Sequence, residues 1–359
     1  MDRTKTMLIF GAGAHVPYDY PTSKDINERL FEIKDRVLGL LSKPSKFPGI
    51  VILDKNDLDY QIREITSLFE RGGVIQLAGY PSTIDLSNEE IERAVPLKKL
   101  ETFKNFLTSL TNADCPGLDD FLINYSEKSH NNHYYLLGKL LISYFIYQHE
   151  LKPTIFKDDW IQIYLNSFFG DTFDEERIKK GDVHKIYTFN YDLLFERKIF
   201  KYIFERNKQA NPNHAEQVSK LVDSIQIRHI YGSLQKPVSN SFDYYDERFR
   251  EQNITKSAQQ ISLVRNGYEW GQKTQFQKDW DSCNQILFLG FSFNKTNLNT
   301  LFDGIKVNKK PCFSTNIELT KDVIKRINDG LRTYSLEVQF FENRLNQINC
   351  KTLIQERLL

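Results

Sequence analysis

The sequence predicts an α/β protein, a doubly wound Rossmann-like parallel sheet carrying a helix-rich insert. Three observations predict it. Short apolar runs end in Gly, Ser, Asn or Asp, as buried parallel strands do. Those runs cluster towards the two ends of the chain. The stretch between them is patterned at helical spacing.

The first strand is Met7 to Phe10, ending in Gly11-Ala12-Gly13-Ala14. A helix over Ser23 to Leu41 follows, with Ile26, Leu30, Ile33 and Val37 on one face and Thr22 or Ser23 as its cap. Leu97 to Leu110, Asn132 to His149 and Trp160 to Phe169 read as further helices. In the second of these, Tyr134, Leu137, Leu141, Tyr144 and Phe145 form a stripe that reads as insert core rather than interface. Strands return at Lys185 to Phe189, Ile225 to Ile230, Ile286 to Leu289, Cys312 to Thr315 and Leu336 to Phe341, with a helix over Lys321 to Leu331 before the last. This order sets a first core segment at 1–44, the insert at 45–180 and the rest of the core at 181–359.

Composition excludes several function classes. In 359 residues, 48 Lys+Arg balance 47 Asp+Glu, which is unlike a nucleic-acid coat. With 26 Phe and 18 Tyr, the chain has too much to bury for extended disorder. No run approaches the roughly 18 apolar residues of a membrane span. Met7 to Phe10 is too short for a signal-peptide core. Cys115, Cys283, Cys312 and Cys350 are scattered and form no CxxC pair, so neither zinc nor a disulfide framework is expected. His130 and His133 read as solvent-facing. The expectation is a soluble protein of the reducing cytoplasm.

Four segments could carry chemistry. Gly11-Ala12-Gly13-Ala14 lets a backbone approach a phosphate, or simply makes a tight turn; Val16 stands where a dehydrogenase has its third glycine. Thr188, Asn190 and Asp192 share a face if the chain stays extended, and Asp192 could equally cap a helix over Leu193 to Ile199. His229 and Tyr231 share a face, followed by Gly232 and Ser233; a lone strand histidine is more often structural than catalytic. Gly290-Phe291-Ser292-Phe293-Asn294 ends a strand with a glycine, as at a ligand or in a plain loop.

Their order resembles the sirtuin-like superfamily, in particular its divergent bacterial antiphage-defence branch. Gly11 to Ala14 with Pro21 and Thr22 resembles the family's opening loop, and Thr188-x-Asn190-x-Asp192 its Thr-x-Asn-x-Asp segment. His229 to Ser233 is similar to its His-Gly-Ser segment, and Gly290 to Asn294 to its late ribose loop. Leu118-Asp119-Asp120-Phe121-Leu122 resembles an acidic–aromatic segment of the defence members' insert.

The resemblance implies that NAD is bound as a substrate and its nicotinamide–ribose bond broken. It implies that Asn190 orients water or a ribose hydroxyl, Asp192 contacts the carboxamide, and His229 is the base. Gly11, Ala12, Gly13 and Ala14 would hold the pyrophosphate; Gly290, Ser292, Phe293 and Asn294 the adenosine ribose; and Pro21, Thr22, Thr188, Tyr231, Gly232 and Ser233 would complete the site. A homo-oligomer and a HerA-type ATPase partner are implied as well. The alternative is a degenerate domain that binds NAD or another nucleotide and acts through assembly. Tyr231 stands where the family places its catalytic histidine. His15 occupies a usually small position, Lys295 a usually acidic one, and the four-cysteine zinc module of protein deacylases is missing.

Overall fold

In the computed structural model, β1 (Thr6–Phe10), β2 (Lys185–Thr188), β3 (Ile227–His229), β4 (Gln285–Leu289), β5 (Cys312–Ser314) and β6 (Val338–Phe340) form one sheet. The strand order is β3-β2-β1-β4-β5-β6, and every pairing is parallel. This is the doubly wound Rossmann order, in which the winding reverses between β1 and β4. The structure describes residues 5–42, 58–71, 88–113, 115, 117–126, 133–150, 159–169, 178, 184–206, 214–236, 250–263, 272–316, 319–340 and 349–358.

Among them run thirteen α-helices. The first six are α1 (Ser23–Ser42), α2 (Leu58–Arg71), α3 (Asn88–Asn112), α4 (Leu118–Ser126), α5 (His133–Glu150) and α6 (Trp160–Phe169). Then come α7 (Leu194–Arg206), α8 (His214–Ser224), α9 (Arg250–Gln260), α10 (Lys273–Ser282), α11 (Lys295–Phe302), α12 (Lys321–Arg332) and α13 (Cys350–Leu358). None is long and apolar enough to cross a membrane among the described residues.

The chain divides into two compact units. One holds Met1–Tyr20, Gln148–Phe249 and Val264–Leu359, and contains the sheet. The other holds Pro21–Tyr147 and Arg250–Leu263 and is helical. Residues 21–44 therefore lie in the helical unit, and 148–180 in the sheet unit.

In the sheet unit, Met7, Leu8 and Ile9 are wholly buried because helices cover both faces of a parallel sheet. Trp160 of α6 stacks on Phe195 at 5.8 Å and meets Phe10 edge-on at 6.0 Å, which explains why α6 belongs with the sheet. In the helical unit, Thr22 caps α1: its hydroxyl accepts from the Asp25 N–H, and the Asp25 carboxylate accepts from the Thr22 N–H at 2.7 Å. Glu64 of α2 accepts from Tyr144 at 2.9 Å and pairs with buried Arg250 of α9 at 2.9 Å. Leu137, Leu141, Tyr144 and Phe145 are buried, as their stripe predicts. His133 is half-buried beside Tyr134 rather than solvent-facing, and burial lowers its pKa. His130 lies outside the described residues.

Candidate functional site

The C-terminal ends of β1, β2, β3 and β4 bring together the segments that follow them, the position where doubly wound sheets take ligands. Pro21 and Thr22 fall in the helical unit, where Thr22 serves as the α1 cap. The helix expected after β1 does not start at once. Two 3₁₀ turns, Ala12–Ala14 and Val16–Tyr18, come first.

The glycines of the opening loop face another loop of the same protein. The Gly11 N–H donates to the Leu289 carbonyl and the Gly13 N–H to that of Gly290, each at 3.1 Å. A Cβ on Gly13 would stand 2.9 Å from the Gly290 oxygen. In this structure these two donors are therefore engaged in loop packing against the segment after β4. Ala14 is buried and its carbonyl accepts from the Trp160 indole at 2.7 Å. Tyr18 closes the loop: its hydroxyl donates to Asp159 at 2.7 Å and accepts from the Ile161 N–H.

After β2, the Thr188 hydroxyl accepts from the Asn190 N–H at 2.9 Å. Asn190 is 5% exposed, and both polar atoms of its side chain are buried without a partner. It is the one amide among the described residues with both ends so placed. Buried amides are normally bonded, so an orphan of this kind marks a place for a ligand. Asp192 does two jobs: it accepts from the Leu194 N–H at the start of α7 and from the His15 Nδ1 at 2.8 Å. Burial opposes its ionisation, but His15 and the Leu194 N–H hold the carboxyl below its ordinary pKa.

The His229 ring lies 2.7 Å from the Asn190 carbonyl through Nδ1 and 2.7 Å from Glu196 through Nε2. A carbonyl and a carboxylate only accept, so both ring nitrogens carry a proton. Burial alone would lower the His229 pKa; Glu196, the Asn190 carbonyl and Asp192 together raise it. In this structure both ring nitrogens of His229, the residue the resemblance proposes as base, are engaged by the Asn190 carbonyl and Glu196, so neither is offered to a reacting proton here. Its raised pKa makes a prediction. The stabilisation is complete below the unfolded-state value of about 6.5 and is lost as pH rises through the folded-state value. His229→Gln should remove that alkaline decline, read as urea midpoints across a pH series.

β3 ends at His229, so Tyr231 does not continue its face. The buried Tyr231 hydroxyl donates to Asn297 of α11 at 3.0 Å, while its ring packs edge-on to Phe189 at 5.2 Å. Gly232 has φ +78°, a conformation that favours glycine, and the Ser233 hydroxyl donates to the Leu234 carbonyl. Beyond β4, Phe293 is buried against Phe288 and Phe340, Asn294 caps α11 by accepting from the Asn297 N–H, and Ser292 is exposed. Lys295 opens α11.

Several supporting residues were not legible in the sequence. Buried Glu150 accepts from the Leu193 N–H at 2.9 Å and pairs with Arg197. Asp159 pairs with Lys198 at 2.6 Å and accepts from Tyr18. Their only trace in sequence is a charge beside an apolar helix. Glu150→Ala would leave Arg197 and the Leu193 N–H without their carboxylate, and is expected to cost about 3 kcal/mol in urea denaturation.

A cavity of about 360 Å³ lined by Lys310, Pro311, Cys312 and Val338 lies at the N-terminal ends of β5 and β6, opposite these loops. No group of three or more His, Cys, Asp or Glu is placed to hold a metal ion among the described residues.

Residues 184–319 match the family model of the SIR2-like domain. The stretch runs from the residue before β2 to the end of the loop before α12, and takes in Asn190, Asp192, His229, Tyr231 and Gly290. The chain therefore carries a sirtuin-like, NAD-related domain on a Rossmann-like sheet. No curated protein matches the chain.

Proposed function

We propose that the protein is an NAD glycohydrolase, which uses water to cleave the bond between nicotinamide and ribose. The observation that carries the reading is the orphaned amide of Asn190 at the end of β2, inside the SIR2-like stretch. Such an amide can bond a ribose hydroxyl, the carboxamide of nicotinamide or the attacking water. The transition state is oxocarbenium-like, as in glycoside hydrolysis, and a site that orients one water and excludes others favours it. Asp192 and the loops after β1 and β4 complete the proposed site. NAD is its substrate. The wider proposal is an effector of bacterial antiphage defence that depletes NAD in the cytoplasm, as a homo-oligomer working with a HerA-type ATPase.

A second reading is a degenerate domain that binds NAD or a related nucleotide. Tyr231 favours it, because a buried phenol bonded to α11 replaces the family's catalytic histidine. Nicotinamide release by the purified protein, alone and with co-purifying partners, separates the two. Turnover establishes the hydrolase. Binding of NAD by calorimetry with no turnover under either condition establishes the binding domain.

A further inference from the structure

We infer that His15, oriented by Asp192, is the general base of the site, in the place expected for His229. This deepens the hydrolase reading and rests on it.

His15 and His229 stand in the segments at the ends of β1 and β3, and their bonding separates them. His229 is committed at both nitrogens. The His15 Nδ1 lies 2.8 and 3.0 Å from the two Asp192 oxygens, so Nδ1 carries the proton and donates it. The other nitrogen, Nε2, is buried and has no partner. A carboxylate that fixes one imidazole nitrogen as donor leaves the other as a lone pair, the tautomer a base requires.

The surroundings suit that use. His15 is 1% exposed and is ringed by Phe10 at 5.5 Å, Tyr20 at 6.0 Å, Tyr18 at 6.1 Å and Trp160 at 6.4 Å. These walls exclude stray water. Val16 and Pro17 beside it are exposed, so the imidazole lies one layer below the surface. Leaving Nε2 unbonded in such a place costs about 1–3 kcal/mol. A purely packing role would be served without that cost by an apolar side chain. Asp192 stands two residues past Asn190, so the dyad and the orphaned amide share one strand end.

The step balances without an added reagent. Water attacks the anomeric carbon, a C–O bond forms, and the C–N bond to nicotinamide breaks with its electron pair going to the ring nitrogen. The His15 Nε2 takes the proton of the water. The resulting imidazolium is paired with Asp192 and later releases the proton to solvent.

The test uses the full chain labelled with ¹⁵N-histidine, with NAD for turnover and ADP-ribose as the binding probe. His15→Gln keeps a donor for Asp192 and removes the base, and should lower nicotinamide release at least ~10²-fold. ADP-ribose should shift the Nε2 resonance that this variant lacks. If His15→Gln does not fold, Asp192→Asn serves, since a carboxamide no longer fixes the tautomer and the resonance reads the change directly. Wild-type rates in His15→Gln, or a loss confined to His229→Gln, would overturn the inference and leave the hydrolase standing. ADP-ribose bound with the His15 resonance unmoved would also overturn it. Absence of turnover in the wild-type protein, with or without binding, overturns the hydrolase and the base together.

Discussion

Gly290→Ala is expected to destabilise the protein by more than about 4 kcal/mol, at the extreme end of single substitutions. Two terms add. Gly290 has φ +52°, which costs an L-residue roughly 1–2 kcal/mol. Its Cβ would also stand 1.9 Å from the Ala14 nitrogen and 2.2 Å from the Gly13 carbonyl carbon. Both obstacles are backbone, so relief requires the opening loop to move. That movement would break the Gly13 N–H to Gly290 carbonyl bond of 3.1 Å and disturb the bond of 2.8 Å from the Gly290 N–H to Thr315. Gly304→Ala is the control. Gly304 has φ +74° but nothing within 4 Å of its Cβ, so only the conformational term applies. Urea denaturation of the two variants separates strain from overlap. Equal losses would show that the loops yield, and that their close packing is not what the glycine serves.

Asn190→Ala should act in the opposite sense. Nicotinamide release is expected to fall at least ~10²-fold, because a group that positions the reacting atoms is removed. Stability should not fall with it. The amide makes no side-chain bond in the folded protein, so its loss removes a desolvation cost of about 1–3 kcal/mol. A small cavity offsets part of that gain. Activity lost at an unchanged or higher urea midpoint is the signature of a residue kept for function at the expense of stability. Activity and stability lost together would make Asn190 a structural residue.

The parallel strands were legible because each is a short apolar run closed by a small or polar residue. Met7 to Phe10 and Ile286 to Leu289 needed nothing else, since strands buried on both faces have no polar face to confuse the pattern. Helices with a single apolar stripe, such as α1, α6 and α12, were legible for the matching reason. Helices α8, α9 and α10 were not. Their buried faces include His214, Arg250, Asn253 and Asp279, which find partners or cover only in three dimensions. The ends of β2 and β3 were placed, but their side chains were not. Thr188 turns to receive the Asn190 N–H, and β3 stops before Tyr231.

By itself the sequence determined the architecture, the order of the four loop segments and the residue types gathered at the strand ends. These depend on local periodicity and on motif spacing, which a chain carries wherever it folds. Only the tertiary structure decided what each polar group does there. His229 and His15 are the same residue type, yet contacts from different elements leave one bonded at both ring nitrogens and the other with its Nε2 buried and unpartnered. Glu196 lies 33 residues before His229, and Asp192 lies 177 residues after His15. A proton's position on an imidazole follows from what faces each nitrogen, and pairings across such separations exist only once the sheet has assembled.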